Sequence, residues 1–249
     1  MLYFMFIIGA IFGSFYGVVG TRLPEEKSIV KPGSHCEKCG HYLKWYENIP
    51  LLSYIFLGGH CKKCKTPIGF VYFMTELLSG CLFALCYKVF GISYEFFIAV
   101  IISSLVIIIF VSDSKYMIIN DSPLIVSAIL IFIIRWLDTG IVSALLSLVY
   151  GLIIFGVAYL LMLFGSLAFK QEALGGGDIK LSFVAGMVLG VKLGILYIVL
   201  ASFLAFPYAV YVTLKNKDNM LPFGPFLVSS LLIIYLNMNI ISEIIKVIF

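Results

Sequence analysis

Two aspartates and four cysteines carry the chemistry that this 249-residue chain could do. Asp178 follows Gly175-Gly176-Gly177, and Asp113 opens the polar stretch Asp113-Ser-Lys-Tyr-Met-Ile-Ile-Asn-Asp121. Glycine is about 1 kcal/mol worse than alanine in a helix, so three of them weaken a helix start. What they offer is a backbone that a second chain can approach closely. Two carboxylates on one face can share a proton, one acting as general base on a water and the other as general acid. That is aspartic protease chemistry, and such a pair titrates as a unit. Either aspartate alone reads more simply as an acid facing water at a helix end. It is the pairing, with the glycines, that points to catalysis.

The cysteines fall into Cys36-x-x-Cys39 and Cys61-x-x-Cys64, with 21 residues between the pairs. A C-x-x-C turn sets two thiolates on one metal ion, and a second turn completes a tetrahedral site of the structural zinc type. Such a clip folds a loop that has too little core to fold alone. His35, His41 and His60 read as solvated loop residues, since four thiolates already close the site. Cys81 and Cys86 sit in an apolar run and read as packing.

Three further charged residues are possible accessories. Glu76 is about two turns into an apolar segment, which is costly unless it is paired or wet. Asp121, just before Ser122-Pro123, suits a helix N-terminal cap. Lys180 could neutralise Asp178 or reach out to the membrane interface.

The elements that must position these residues are membrane helices. The chain is 62% hydrophobic and 12% charged, and its mean hydropathy is +1.10. A water-soluble domain of this size needs far more polar surface. The expected class is an all-α polytopic membrane protein of about eight spans with a small zinc-clipped cytoplasmic loop. Residues 1–20 form a first, retained helix, 21–68 the four-cysteine loop and 69–249 the remaining helices. The seventh and eighth spans are Leu193–Leu214 and roughly Phe226–Ile245. The sixth, Ile179–Val191, is short, with a hairpin near Lys192 linking it to the seventh.

The cysteine loop holds eight of the 17 lysines and arginines, which places it in the cytoplasm and the N-terminus outside. Alternate crossings then collect 13 basic residues, Lys170 and Lys217 among them, on the cytoplasmic side and four, Lys246 among them, opposite. Two spans separate Asp113 from Asp178, so both aspartates belong at the cytoplasmic edge. No basic run suggests nucleic-acid binding. An ion-coupled transporter using Asp113 and Asp178 is the alternative of another class. Against it, coupling acids belong near the midplane in repeated arrangements, and no internal repeat is visible.

Taken together the motifs resemble the bacterial type IV prepilin peptidases. The resemblance runs from about Gly13 to Phe226. It rests on Gly13-Ser-Phe-Tyr-Gly-Val-Val-Gly-Thr-Arg-Leu-Pro24, Ser34-His-Cys-Glu-Lys-Cys39, Asn48-Ile-Pro-Leu-Leu-Ser-Tyr54, Cys61-Lys-Lys-Cys64 and Glu76-Leu-Leu. It continues in Asp113 through Asp121, in Gly175-Gly-Gly-Asp178-Ile-Lys-Leu and in Leu221-Pro-Phe-Gly-Pro-Phe226. Gly17, Glu37 and Asn120 stand where the family often has asparagine, proline and proline. The resemblance implies an aspartic endopeptidase of the bacterial cytoplasmic (inner) membrane, with Asp113 and Asp178 as its catalytic pair. It would cut a basic leader from prepilins or pseudopilins of pilus, type II secretion or competence systems. It also implies N-methylation of the exposed residue, with S-adenosylmethionine as methyl donor and the cytoplasmic loop involved. A peptidase without methylation is the nearer alternative.

Overall fold

A computed structural model describes residues 1–169, 174–215, 221–241 and 243 of the chain. Lys170, Lys217 and Lys246 lie outside the described residues, as does the end of the last expected span. Among the described residues all named elements are helical. The long ones are α1 (Leu2–Arg22), α3 (Phe70–Phe90), α4 (Tyr94–Tyr116), α5 (Asp121–Thr139), α6 (Ile141–Phe169) and α7 (Gly176–Leu214). The short ones are α2 (Leu52–Phe56) and α8 (Gly224–Leu236).

Six helices are long and apolar enough to cross a membrane, against the eight expected. The difference lies in two places. Helix α8 has 13 residues, fewer than the roughly 20 that span a bilayer. The expected sixth and seventh spans are one element, α7, with a break at Gly190 (φ 72°, ψ −174°), a conformation open only to glycine.

The chain folds back at that break. Ile154 of α6 lies against both Gly186 and Gly194, which in a straight helix would be about 12 Å apart. The two halves of α7 are therefore antiparallel neighbours. The turn sits at Gly190, two residues before the expected Lys192.

Helix α4 is the hub. It packs on α1, α3, α5 and α8, and 61% of its apolar window is buried. A helix apolar all round belongs inside a bundle. The Ser93 hydroxyl accepts the Phe96 N–H at its start. Met117, in the left-handed conformation, closes its end by donating to the Asp113 carbonyl. The helix thus runs one turn beyond Ser112, where the hydropathy pattern stops, and takes Asp113 inside.

At the end remote from Asp113, Arg135 of α5 pairs with Glu95 of α4 at 3.0 Å and donates to the Val188 carbonyl at 3.3 Å. The Tyr235 hydroxyl of α8 donates to the same Glu95 carboxylate. One polar knot thus ties four helices just before α7 turns back.

Candidate active site and metal centre

Asp113 lies in the last turn of α4 and Asp178 in the first turn of α7. Two helices, α5 and α6, separate them in sequence, so both come to one end of the bundle. They are 5% and 8% exposed, so neither is an acid simply facing water. Their carboxylates are close enough for their charges to repel.

Each carboxylate has one backbone donor. Gly224 N–H donates to Asp113 Oδ2 at 3.0 Å, and Gly175 N–H donates to Asp178 Oδ2 at 3.2 Å. Ile119 forms the floor. A Cβ on Gly177 would stand 2.6 Å from Ile119 Cβ, and one on Gly224 would stand 2.8 Å from Ile119 Cδ1 and 2.9 Å from Asp113 Oδ2. A Cβ on Gly176 would meet nothing within 4 Å. The three glycines therefore differ. Gly175 binds the carboxylate, Gly177 packs, and Gly176 is open.

Sequence reasoning missed Gly224 and Ile119. Pro222-Phe-Gly-Pro225 reads as a rigid, non-helical lead into the last helix, a lid or only a helix start; Gly224 and Pro225 in fact begin α8, with Phe223 at its cap position. Two prolines bracketing a glycine were the available signal of a fixed backbone. Nothing in the sequence says that its N–H meets Asp113, 111 residues away.

The accessory residues fall in three places. Asn120, not Asp121, occupies the cap position of α5. Asp121 instead pairs with Lys180, whose Nζ lies 2.7 Å from both carboxylate oxygens. Lys180 therefore serves Asp121 rather than Asp178. Glu76 is buried in α3, and its Oε2 accepts the N–H of Leu51 at 2.7 Å. Leu51 belongs to the cysteine loop and takes a positive φ of 63° as it reaches down. The buried acid is thus satisfied by the loop's own backbone.

The four cysteine sulfurs lie within 4.8 Å of one another, with Cys36–Cys64 at 3.7 Å and Cys39–Cys61 at 4.0 Å. Zn–S bonds of about 2.3 Å in a tetrahedron set the sulfurs about 3.8 Å apart, so this cluster could hold such an ion. The two knuckles repeat one geometry. Cys36 N–H bonds the His41 carbonyl and Cys61 N–H the Thr66 carbonyl, and the residue after each second cysteine has positive φ (Gly40 66°, Lys65 57°).

The Thr66 hydroxyl and then its N–H pull the Cys64 thiol down to about 6. At Cys39 a bond from the His41 backbone pulls down, but burial and the three neighbouring thiols outweigh it and push the thiol up to about 11. The histidines stay out of the cluster. His41 bonds Glu47 at 3.1 Å, while His35 and His60 bond the Gly33 and Gly58 carbonyls. Of the two remaining cysteines, Cys86 is buried beside Ser103 and Cys81 is exposed.

Comparison with known proteins adds the lineage. Residues 7–90 match the bacterial peptidase A24 N-terminal domain, and residues 100–210 match the type IV leader peptidase family. A protein of Bacillus subtilis named prepilin leader peptidase/N-methyltransferase is 39% identical, over 95% of this chain and 94% of its own length. The chain belongs to the type IV leader peptidase family. Members under the same name in Vibrio cholerae and Myxococcus xanthus are 28% and 37% identical, over 94% and 75% of this chain. The Vibrio cholerae match covers 96% of that family member, the Myxococcus xanthus match 55%. No solved structure matches the chain.

Proposed function

We propose that the protein is a membrane aspartic endopeptidase that removes the leader of prepilin-like proteins with Asp113 and Asp178 and then N-methylates the exposed residue. The observation that carries the reading is the meeting of two buried carboxylates at one bundle end. Each is held by a glycine N–H, and Gly176 lies open beside them. Both activities are in the names of the relatives.

One carboxylate takes a proton from a water whose oxygen attacks the scissile carbonyl. The other, protonated, gives its proton to the leaving nitrogen as the C–N bond breaks. A peptidase needs its substrate extended, and the open backbone at Gly176 suits a strand laid alongside. Burial strengthens the coupling between the two acids, which favours a shared proton.

The lysine and arginine bias supports an inner-membrane orientation with the loop and the aspartate end in the cytoplasm. A basic leader would then stay in the cytoplasm, its following apolar helix would lie in the bilayer, and the bond to be cut would fall level with the aspartates. Cys36, Cys39, Cys61 and Cys64 would hold a structural zinc ion that keeps the loop folded. S-adenosylmethionine, when bound, would supply the methyl group that the new amine receives.

The test is leader removal from a co-expressed prepilin, read by gel mobility and by the mass of the mature N-terminus. Asp113→Asn and Asp178→Asn should each abolish cleavage at normal membrane levels. The wild-type product should be heavier by about one CH₂. If both variants still cleave, the aspartic mechanism is wrong. A cleaved product of unmethylated mass would leave the peptidase and remove the methyltransferase.

A further inference from the structure

A groove of about 400 Å³ runs between α5, α6 and the first half of α7. Leu124, Ile125, Ile129, Leu152, Phe155 and Phe183 form its walls, and the Asp121–Lys180 ion pair stands at the rim of one end. Among the described residues, those two are its only charged lining. Ile125, Ile129 and Leu152 are more than half exposed. Only 17% of the apolar window of α5 is buried within the molecule, against 61% for α4. Helix α5 is thus packed on one flank and open along the groove.

We infer that this groove seats the apolar helix of the substrate, the segment that follows the bond to be cut. The inference rests on the peptidase reading. Its physical ground is the continuity of the groove with the aspartate end. Residues 176, 180, 183 and 184 form one stripe of α7 at helical spacing. The open backbone of Gly176 therefore stands one turn above Lys180, at the groove's mouth, while Gly175 beside it holds the Asp178 carboxylate.

A chain extended past Gly176 and helical beyond it enters the groove without a change of direction. Its apolar side chains meet aliphatic and aromatic walls at bilayer depth. In membranes such association comes from close packing rather than from escape from water, so a preformed groove is what a single guest helix needs.

The experiment places a benzophenone side chain at Ile125 or Ile129, with Phe110 and Phe203 as lipid-exposed controls on other faces. Each is built into Asp178→Asn protein, which should hold uncut prepilin, in membranes with co-expressed substrate. Irradiation should give prepilin adducts at Ile125 and Ile129 at least tenfold above both controls. A prepilin whose apolar segment carries several serines should lose them. Equal yields at all four positions, or groove adducts to lipid or to a second copy of this chain in place of prepilin, would overturn the inference and leave the peptidase standing. Continued cleavage by Asp178→Asn would instead strike the peptidase reading itself.

Discussion

The Asp113 carboxylate is placed by a backbone donor, so its geometry is sensitive to a residue with no side chain. Gly224→Ala would set a Cβ 2.9 Å from Asp113 Oδ2 and 2.8 Å from Ile119. The Ile119 methyl can turn aside, but Oδ2 yields only if the carboxylate moves. The expected result is a fall in prepilin cleavage of tenfold or more, about 1.4 kcal/mol in the barrier, at unchanged membrane levels. Glu47 gives a second prediction at this scale. It is nearly buried in the loop, and the Lys44 N–H, then His41 and Lys62, hold its carboxyl below the usual glutamate range. A lowered value in the folded loop means a contribution present above the unfolded value of about 4.3 and lost as pH falls through the folded one. Glu47→Gln should therefore make the loop more sensitive to proteolysis at pH 7. The difference from wild type should begin to narrow as pH falls past the unfolded value and close only below the lowered folded one.

At the scale of elements, α1 and α3 meet through glycine. A Cβ on Gly9 or Gly13 would lie 2.6 Å from the Ser79 or Thr75 carbonyl, so the two helices touch backbone to backbone. This small-residue seam is how membrane helices gain close packing. It also sets the height of Glu76, and through Leu51 the height of the loop. Gly13→Val should part the seam, free Leu51 from Glu76 and raise proteolysis within residues 44–57, while prepilin cleavage falls less. The spans were legible in the sequence because long apolar runs and lysine-bearing turns mark them with no tertiary knowledge. The seam was equally written there, as glycines at 9, 13 and 17, but a spacing of four has meaning only once its partner helix is known. The break in α7 was half visible. Gly190, Lys192 and Gly194 mark a turn, yet only contacts with α6 show which residue makes it. Asp121 misled for the opposite reason. Its position before Ser-Pro suits a cap, and the cation that claims it lies 59 residues on.

For the molecule as a whole, the cysteine cluster and the aspartate site sit on one construction. The loop gathers its four thiols in one cluster, is pinned by Glu76 and is tied to α4 where Tyr116 donates to Glu25 at 2.6 Å. A metal held by four thiolates competes with protons, so its retention depends on acidity. With Cys64 at about 6, affinity should drop as pH falls through that value, and a chelator should strip the ion faster at pH 5.5 than at 7.5. Stripped protein, assayed at neutral pH, should lose methylation and loop protection first. The carboxylates and their glycine donors lie in other helices, so cleavage should outlast both. Simultaneous loss of both activities would mean that the loop also shapes the peptidase.

The reversal at Gly190 bears on how the chain enters the bilayer. The stretch from Gly176 to Gly190 is 15 residues, about 22 Å of helix, against roughly 30 Å of hydrocarbon. Alone it is a poor anchor, and its glycines and Asp178 make it poorer. Paired with the returning half it becomes a hydrophobic hairpin that can partition as one unit. During synthesis, Asp178 would therefore reach its depth only after the ribosome has supplied some twenty further residues. Until then Asp178 would remain in water, apart from the Asp113 end of the bundle that it joins in the folded chain.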